Sequence, residues 1–218
     1  MVTAPSDRTT VRRLAERGVY DREVIDAILD EALYCHVGVV VDGGPVVIPT
    51  IHARSGDTLY LHGSPANRML RSMRSGEQVC VTVTVLDGIV LARAPFSSSM
   101  NYRSVVLFGT PRPVTSADEK REAFRALTEH VTPGRWADSR LPNDREEKAT
   151  LVVAIPIAEA SAKVRTGPPH DDEDDYDLPI WAGIIPLRMV AGEPIPDPAR
   201  VSDLPVPSYL VGYRSVAG

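Results

Sequence analysis

From residue 35 to residue 110 the chain is largely a succession of short β-branched runs joined by turns too short to hold a crossover helix, and this spacing restricts the fold more than any other feature. Cys35–Val41 and Val46–Ala53 flank Asp42-Gly-Gly-Pro45, and Arg54-Ser-Gly-Asp57 separates the second run from Leu59–His62. Turn residues of this kind between alternating apolar runs predict antiparallel hairpins. Gln78–Val85 follows, then Ile89–Ala94 after a turn at Leu86-Asp-Gly88, then Ser104–Gly109, which makes six strands by residue 110. Parallel pairing would need long crossovers, so the fold class is mainly β: an antiparallel barrel or sandwich with flanking helices. One helix opens at Asp21 and carries Val24, Ile25, Ile28, Leu29 and Leu33 on one face; another covers Ala117–His130, and Leu151–Ile155 is a further strand.

The pattern breaks once, at Leu59-Tyr-Leu-His-Gly-Ser-Pro-Ala-Asn-Arg-Met-Leu-Arg-Ser-Met73. Alternation ends at Gly63-Ser64-Pro65, and Met69, Leu70 and Met73 then recur at helical spacing. Ser64 is a candidate N-cap, Pro65 the first helical residue, and Arg68 a first-turn cation. A helix start suits an anion, and a cation there makes sense against a bound anion, whereas the plain alternative is a capped surface helix with Arg68 in solvent. Pairing across residues 54–57 would set residue 52 near 59 and Pro49 near His62. Pro49 cannot donate to a ladder, so backbone groups there would be left for a ligand. Pro49, Thr50, His52, His62, Ser64 and Arg68 would then converge at one sheet end. Either histidine can equally be a satisfied structural residue, and neither has a third ligand at a metal-binding spacing.

Composition narrows the partners. A net charge of −5 carries no general polyanion footprint, which argues against nucleic acid. No run approaches the ~18 apolar residues of a membrane span, and the first residues lack a signal-peptide apolar region, so a cytoplasmic protein without a membrane partner is expected. Cys35 and Cys80 sit in apolar runs and read as free thiols of a reducing compartment. Residues 1–20 form a polar arm with Arg8, Arg12, Arg13 and Arg17, which could lie over a partner subunit or fray. Residues 21–190 form the domain and 191–218 a proline-rich tail. The acidic run from Asp171 to Asp177 reads as a solvated loop, and Trp181 as a core residue or a stacking surface for a planar ligand.

Taken in order, Val47-Ile-Pro-Thr50, Leu59-Tyr-Leu-His-Gly-Ser64, a basic helix start, two long strands, Met100-Asn-Tyr-Arg-Ser-Val-Val-Leu-Phe-Gly109 and Trp181-Ala-Gly183 resemble the pyridoxamine 5′-phosphate oxidase-like family of flavin-binding split β-barrels. Within it, the order resembles most the flavin-nucleotide-binding branch that includes the nitroimidazole-resistance proteins. The resemblance implies a homodimer holding FMN at the subunit interface. Ile48, Pro49, Thr50 and Ile51 would match the strand along the ring, His62 the polar strand end beside it, and Ser64 and Arg68 the phosphate grip. Asn101, Tyr102 and Arg103 would match the segment approaching from the other subunit, and Trp181 the tryptophan near the flavin. Ser97, Ser98 and Ser99 stand where that branch often carries histidines, and Pro186-Leu-Arg-Met189 departs from the oxidase's substrate-gripping order, so pyridoxamine phosphate oxidation does not carry over.

The function implied is an FMN-dependent oxidoreductase passing a hydride or electron pair between a reduced nucleotide and a small-molecule substrate such as a nitroaromatic compound or quinone, with His62 the candidate acid or base. The alternatives are a non-catalytic binder of flavin or haem, and a reductase using a deazaflavin; FAD could also replace FMN.

Overall fold

The computed structural model describes residues 4–74, 76–199 and 204–214; the outermost residues of the expected arm and tail, and 200–203 within the tail, lie outside that set. A two-residue strand β1 (Gly18–Val19) precedes helix α1 (Arg22–Glu31), whose N-cap Asp21 accepts from the backbone N–H groups of Glu23 and Val24 as its sequence position implies. Strands β2 (Tyr34–Val41) and β3 (Gly44–Ser55) form a hairpin on Asp42 and Gly43, both at positive φ, as a type I′ turn requires. Then come β4 (Thr58–Gly63), α2 (Arg68–Met73), β5 (Val79–Leu91), β6 (Ser99–Gly109), β7 (Arg112–Pro113), α3 (Ala117–Val131), α4 (Asp144–Ala149), β8 (Leu151–Pro156), β9 (Glu159–Arg165) and β10 (Gly183–Pro186). The strand order is β1-β9-β6-β5-β2-β3-β4-β8-β7, every pair antiparallel, with β10 alongside β5.

β3 is long because it belongs to two ladders. Gly44 to Ile51 pair with β2, and His52 to Ser55 pair with β4. The sheet also curls back on itself: a Cβ added to Gly109 at the end of β6 would lie 2.6 Å from Ile155 of β8. This is a split barrel, the architecture the strand spacing and the family resemblance had implied. Alternation along the strands sends Cys35, Val37, Leu59, Leu61, Val81, Leu107 and Ile155 inward, where they meet Ile25, Ile28 and Leu29 of α1 and Met69, Leu70 and Met73 of α2. Each such side chain contributes about 1.5–3 kcal/mol by leaving water. A smaller cluster, Tyr60, Val152 and Ala154 with Ala123 of α3, covers the outer face of β4 and β8.

Four sequence expectations change. The β3–β4 loop is the two residues Gly56 and Asp57, so His52 faces Leu61 and not residue 59; the two-residue slip keeps every side chain on its expected face but takes Pro49 away from His62 and sets it opposite His36. Leu86-Asp-Gly88 is no hairpin turn. It is a bulge within the single strand β5, where a Cβ on Gly88 would lie 3.0 Å from Ile184 of β10. Asp171, in the acidic run read as solvated, has a fully buried side chain that accepts from the backbone N–H groups of Arg93 and Ala94 and pairs with the Arg93 guanidinium at 3.0 Å. The described residues of the N-terminal arm do not fray: Arg8 pairs with Glu159 and stacks on Phe108, and Thr9 is buried.

His52 sits where β3 changes ladders. It is 0 % exposed, its Nε2 lies 2.8 Å from the Leu29 carbonyl, and the His130 ring is 4.8 Å away. Burial pushes its pKa down from 6.5 to about 4, against the opposing pull of the Leu29 carbonyl. The folded protein therefore binds fewer protons than the unfolded chain between those values, so this stability is complete above the unfolded pKa and is lost as pH falls from about 6.5 toward 4. We expect a loss on the order of 3 kcal/mol from this group across that window. In His52→Gln, melting temperature measured from pH 7 to 4 should fall less steeply than in the parent; parallel curves would show that His52 is not the titrating group.

Candidate functional site

The strand-to-helix turn after β4 is assembled differently from its local sequence signal. Asn67, not Ser64, is the N-cap: its side chain accepts from Met69 and Leu70, and Arg68 becomes the first residue of α2. Ser64 instead shapes the turn before it, accepting from the Ala66 N–H at 3.2 Å while its carbonyl accepts from Asn67 at 2.9 Å. Pro65 lies outside the helix. Gly63 lets the helix fold back on the strand end, since a Cβ there would meet Leu70 at 2.9 Å. Arg68 is exposed, with no hydrogen bond or ion pair among the described residues.

Beside this turn, His62 and Ile51 line one cavity of about 350 Å³, walled by Phe124, Leu127 and Thr128 of α3 and by Trp136. His62 occupies the same outer face of β4 as Tyr60, which bonds Glu119 of α3. Its Nδ1 is buried without a hydrogen-bond partner, and burial lowers its pKa, so the ring is neutral at pH 7. A neutral imidazole can donate from one nitrogen and accept at the other. Along β3 the remaining candidates alternate: Ile48 packs against the barrel core, Thr50 pairs with Cys35, and Pro49 and Ile51 turn outward.

The second group of candidates lies on β6, and the strands β5, β2 and β3 separate it from β4. Asn101 is buried, donates to the Gly167 carbonyl at 3.2 Å and accepts from Arg165. Tyr102 faces Arg165 across the β6–β9 ladder. Arg103 forks between Asp87, at 2.7 Å, and Glu31, whose hydrogen bonds hold its guanidinium charged. Trp181 precedes β10, is 66 % exposed, and packs against Gly183, where a Cβ would come within 2.9 Å of the ring. A single chain thus brings Ile51 and His62 to one cavity, with Ser64 and Arg68 in the turn and helix start that follow His62, while Asn101, Tyr102, Arg103 and Trp181 do not line that cavity.

Sequence reasoning missed the partners of these residues. Asp87 and Glu31 hold Arg103 from 16 and 72 residues away, and Arg165 meets Asn101 across 64. No local spacing encodes such pairs, which exist only through strand register. Trp136 and the α3 wall of the cavity were likewise invisible.

The family model for pyridoxamine 5′-phosphate oxidase matches residues 21–164. Among solved structures, the flavocytochrome Anf3 of Azotobacter vinelandii is 42 % identical with TM-score 0.91, covering 97 % of this chain and 99 % of its own. An FAD- and haem-binding protein of Mycobacterium smegmatis is 37 % identical with TM-score 0.87, covering 91 % and 98 %. A protein of Bacteroides thetaiotaomicron described as a 5-nitroimidazole antibiotic resistance protein is 27 % identical with TM-score 0.58, covering 67 % and 86 %. No curated protein matches.

The exposure of Trp181 generates a direct expectation. A core tryptophan would cost ~3–5 kcal/mol on truncation, whereas Trp181→Ala should change the stability of the cofactor-free protein by no more than about 0.5 kcal/mol. Denaturant unfolding decides between the two values.

Proposed function

Because the chain belongs to the pyridoxamine 5′-phosphate oxidase-like family, we propose that it is a homodimeric flavin-binding oxidoreductase, with FMN the first candidate and FAD or a deazaflavin the variants, that passes electrons from a reduced nucleotide to a small substrate such as a nitroaromatic compound or a quinone. The observation that carries the reading is the cavity lined by His62, a neutral imidazole with an orphaned buried nitrogen, and by the outward-facing Ile51; the turn that follows His62 in the chain carries Arg68, exposed and without a partner among the described residues. These residues fit the group. Flavin needs an apolar wall for its ring, a polar atom at the ring edge and a cation for its phosphate. Ile51 and Pro49 would supply the first, His62 the second, and Ser64 with Arg68 the third. When bound, the flavin supplies the redox chemistry, and the chain's part is to orient it and to hold or release a proton at the His62 ring.

Dimerisation follows from the same reading. The outer face of β2 and β3 exposes Val40 (55 %), Val47 (65 %) and Ile51 (40 %), an apolar surface suited to a second copy. A partner seated there would let Asn101, Tyr102, Arg103 and Trp181 of one chain approach the turn of the other, which a single chain cannot do.

A second reading has its own support. Two relatives aligned over nearly the whole chain are a flavocytochrome and an FAD- and haem-binding protein, which favours haem beside the flavin, or a flavin carrier without turnover. The absorbance spectrum of the purified protein separates these: flavin bands bleached by reduced nucleotide support the oxidoreductase, flavin bands indifferent to it support the carrier, and a Soret band adds haem.

The phosphate grip has a sharper test. Arg68→Ala should weaken FMN by roughly ten- to hundredfold, the ~1.5–3 kcal/mol of a charge-assisted contact. Lysine should restore part of it, keeping the charge without the planar fork. Riboflavin, which has no phosphate, should bind Arg68→Ala and the parent alike. Equal losses for both ligands in a fluorescence titration would remove Arg68 from the site.

A further inference from the structure

A second concave site, of about 430 Å³, lies far along the sheet from the β4–α2 turn, between the N-terminal arm, the start of β6 and β9. Arg13, Arg17, Lys163 and Arg165 all line it, and no aspartate or glutamate does. Among the described residues the carboxylate paired with these cations is Glu16, 4.0 Å from Arg17 and mostly exposed. Among the described residues Lys163 donates only to the Arg13 carbonyl, at 3.1 Å. Arg165 is the most constrained of the four. It is 6 % exposed, it donates to the carbonyls of Gly167 and Pro168 and to Asn101, and its Nε is buried with no partner. Burial and the neighbouring Arg17 charge both disfavour its charged form. Like charges gathered without a counter-charge cost stability unless an anion offsets them.

We propose that this pocket binds the diphosphate of a nucleotide. Its cations come from two elements, the arm and β9, so they can grip two adjacent phosphates from opposite sides, with the orphaned Arg165 Nε as an unused donor. Phe96, 98 % exposed, and Tyr102 stand at the same pocket and offer faces on which an aromatic base can stack. Flavin adenine dinucleotide and a reduced nicotinamide dinucleotide share this adenylate diphosphate, and either can be its source. The assignment does not depend on the flavin reading, because inorganic pyrophosphate and ADP alone report it.

Calorimetric titration of the full chain at low salt with pyrophosphate, ADP and adenosine tests the proposal. Pyrophosphate and ADP should bind one per chain, with affinity falling as salt rises, and adenosine at least tenfold more weakly. Arg17→Ala and Lys163→Ala should each lower ADP affinity roughly tenfold with unchanged melting temperature, while Arg121→Ala, removing one charge from the exposed side of α3, leaves it as it was. If Lys163→Ala weakens FAD but not FMN, the flavin's own adenylate half is the occupant; if it weakens the reduced dinucleotide, the electron donor is. Absence of pyrophosphate and ADP binding by the folded protein would overturn the proposal. So would an equal loss in Arg121→Ala, or a loss that follows Arg68→Ala instead.

Discussion

The structure depends on one strand serving two ladders. β3 gives its first eight residues, Gly44–Ile51, to β2 and its last four, His52–Ser55, to β4, so the barrel is held together at the peptide between Ile51 and His52. At that crossover the inward side chain is polar, because the strand passes beneath the end of α1, and His52 answers the Leu29 carbonyl there. His130 does the same for the Ala32 carbonyl. Two neutral imidazoles thereby tie the C-terminal end of α1 to the sheet, through His52, and to α3, through His130, while Arg54 pairs with Asp26 and Asp30 of α1. An apolar residue at position 52 would leave the carbonyl to find another partner in a water-poor interior.

The split also decides where a ligand can sit. Before the crossover, the outer face of β3 shows Val47, Pro49 and Ile51 to solvent. After it, α3 covers the sheet through Tyr60, Val152 and Ala123. Ile51 and His62 stand at the boundary, which makes a cavity with a packed wall on one side and an open sheet on the other. The turn to α2 ends the same strand that carries His62, so Arg68 follows the imidazole by six residues of chain, with Leu70 packed on Gly63 between strand and helix. In the proposed dimer a second copy completes this half-covered groove, because the β6 residues of the same chain lie three strands away.

Much of this was legible because it is local. Asp21 before an amphipathic run, Asp-Gly between two valine-rich strands and period-two alternation are decided by neighbouring residues, and they placed α1, the first hairpin and the antiparallel sheet. The readings that changed all hinge on distant atoms. Ser64 and Asn67 are both good caps, and only the fit of Leu70 against Gly63 selects the later start. Asp87-Gly88 reads as a turn until β10 is seen lying against it. Asp171 looked like one charge among many, yet it is the buried anchor of the Arg93 loop. The slip at Gly56-Asp57 shows why faces are easier to read than neighbours: a shift of two residues preserves inside and outside but changes every cross-strand partner.

We propose that flavin sits between two copies of this chain, gripped by the β4–α2 turn of one and approached by the β6 segment of the other. Light scattering of the flavin-loaded protein, repeated with a charge placed in the bare strand face by Val47→Asp, tests it most directly. Twice the chain mass is expected for the parent, and for the variant a shift to single chains accompanied by release of the flavin. A protein that runs as a single chain at micromolar concentration while retaining its flavin would contradict it.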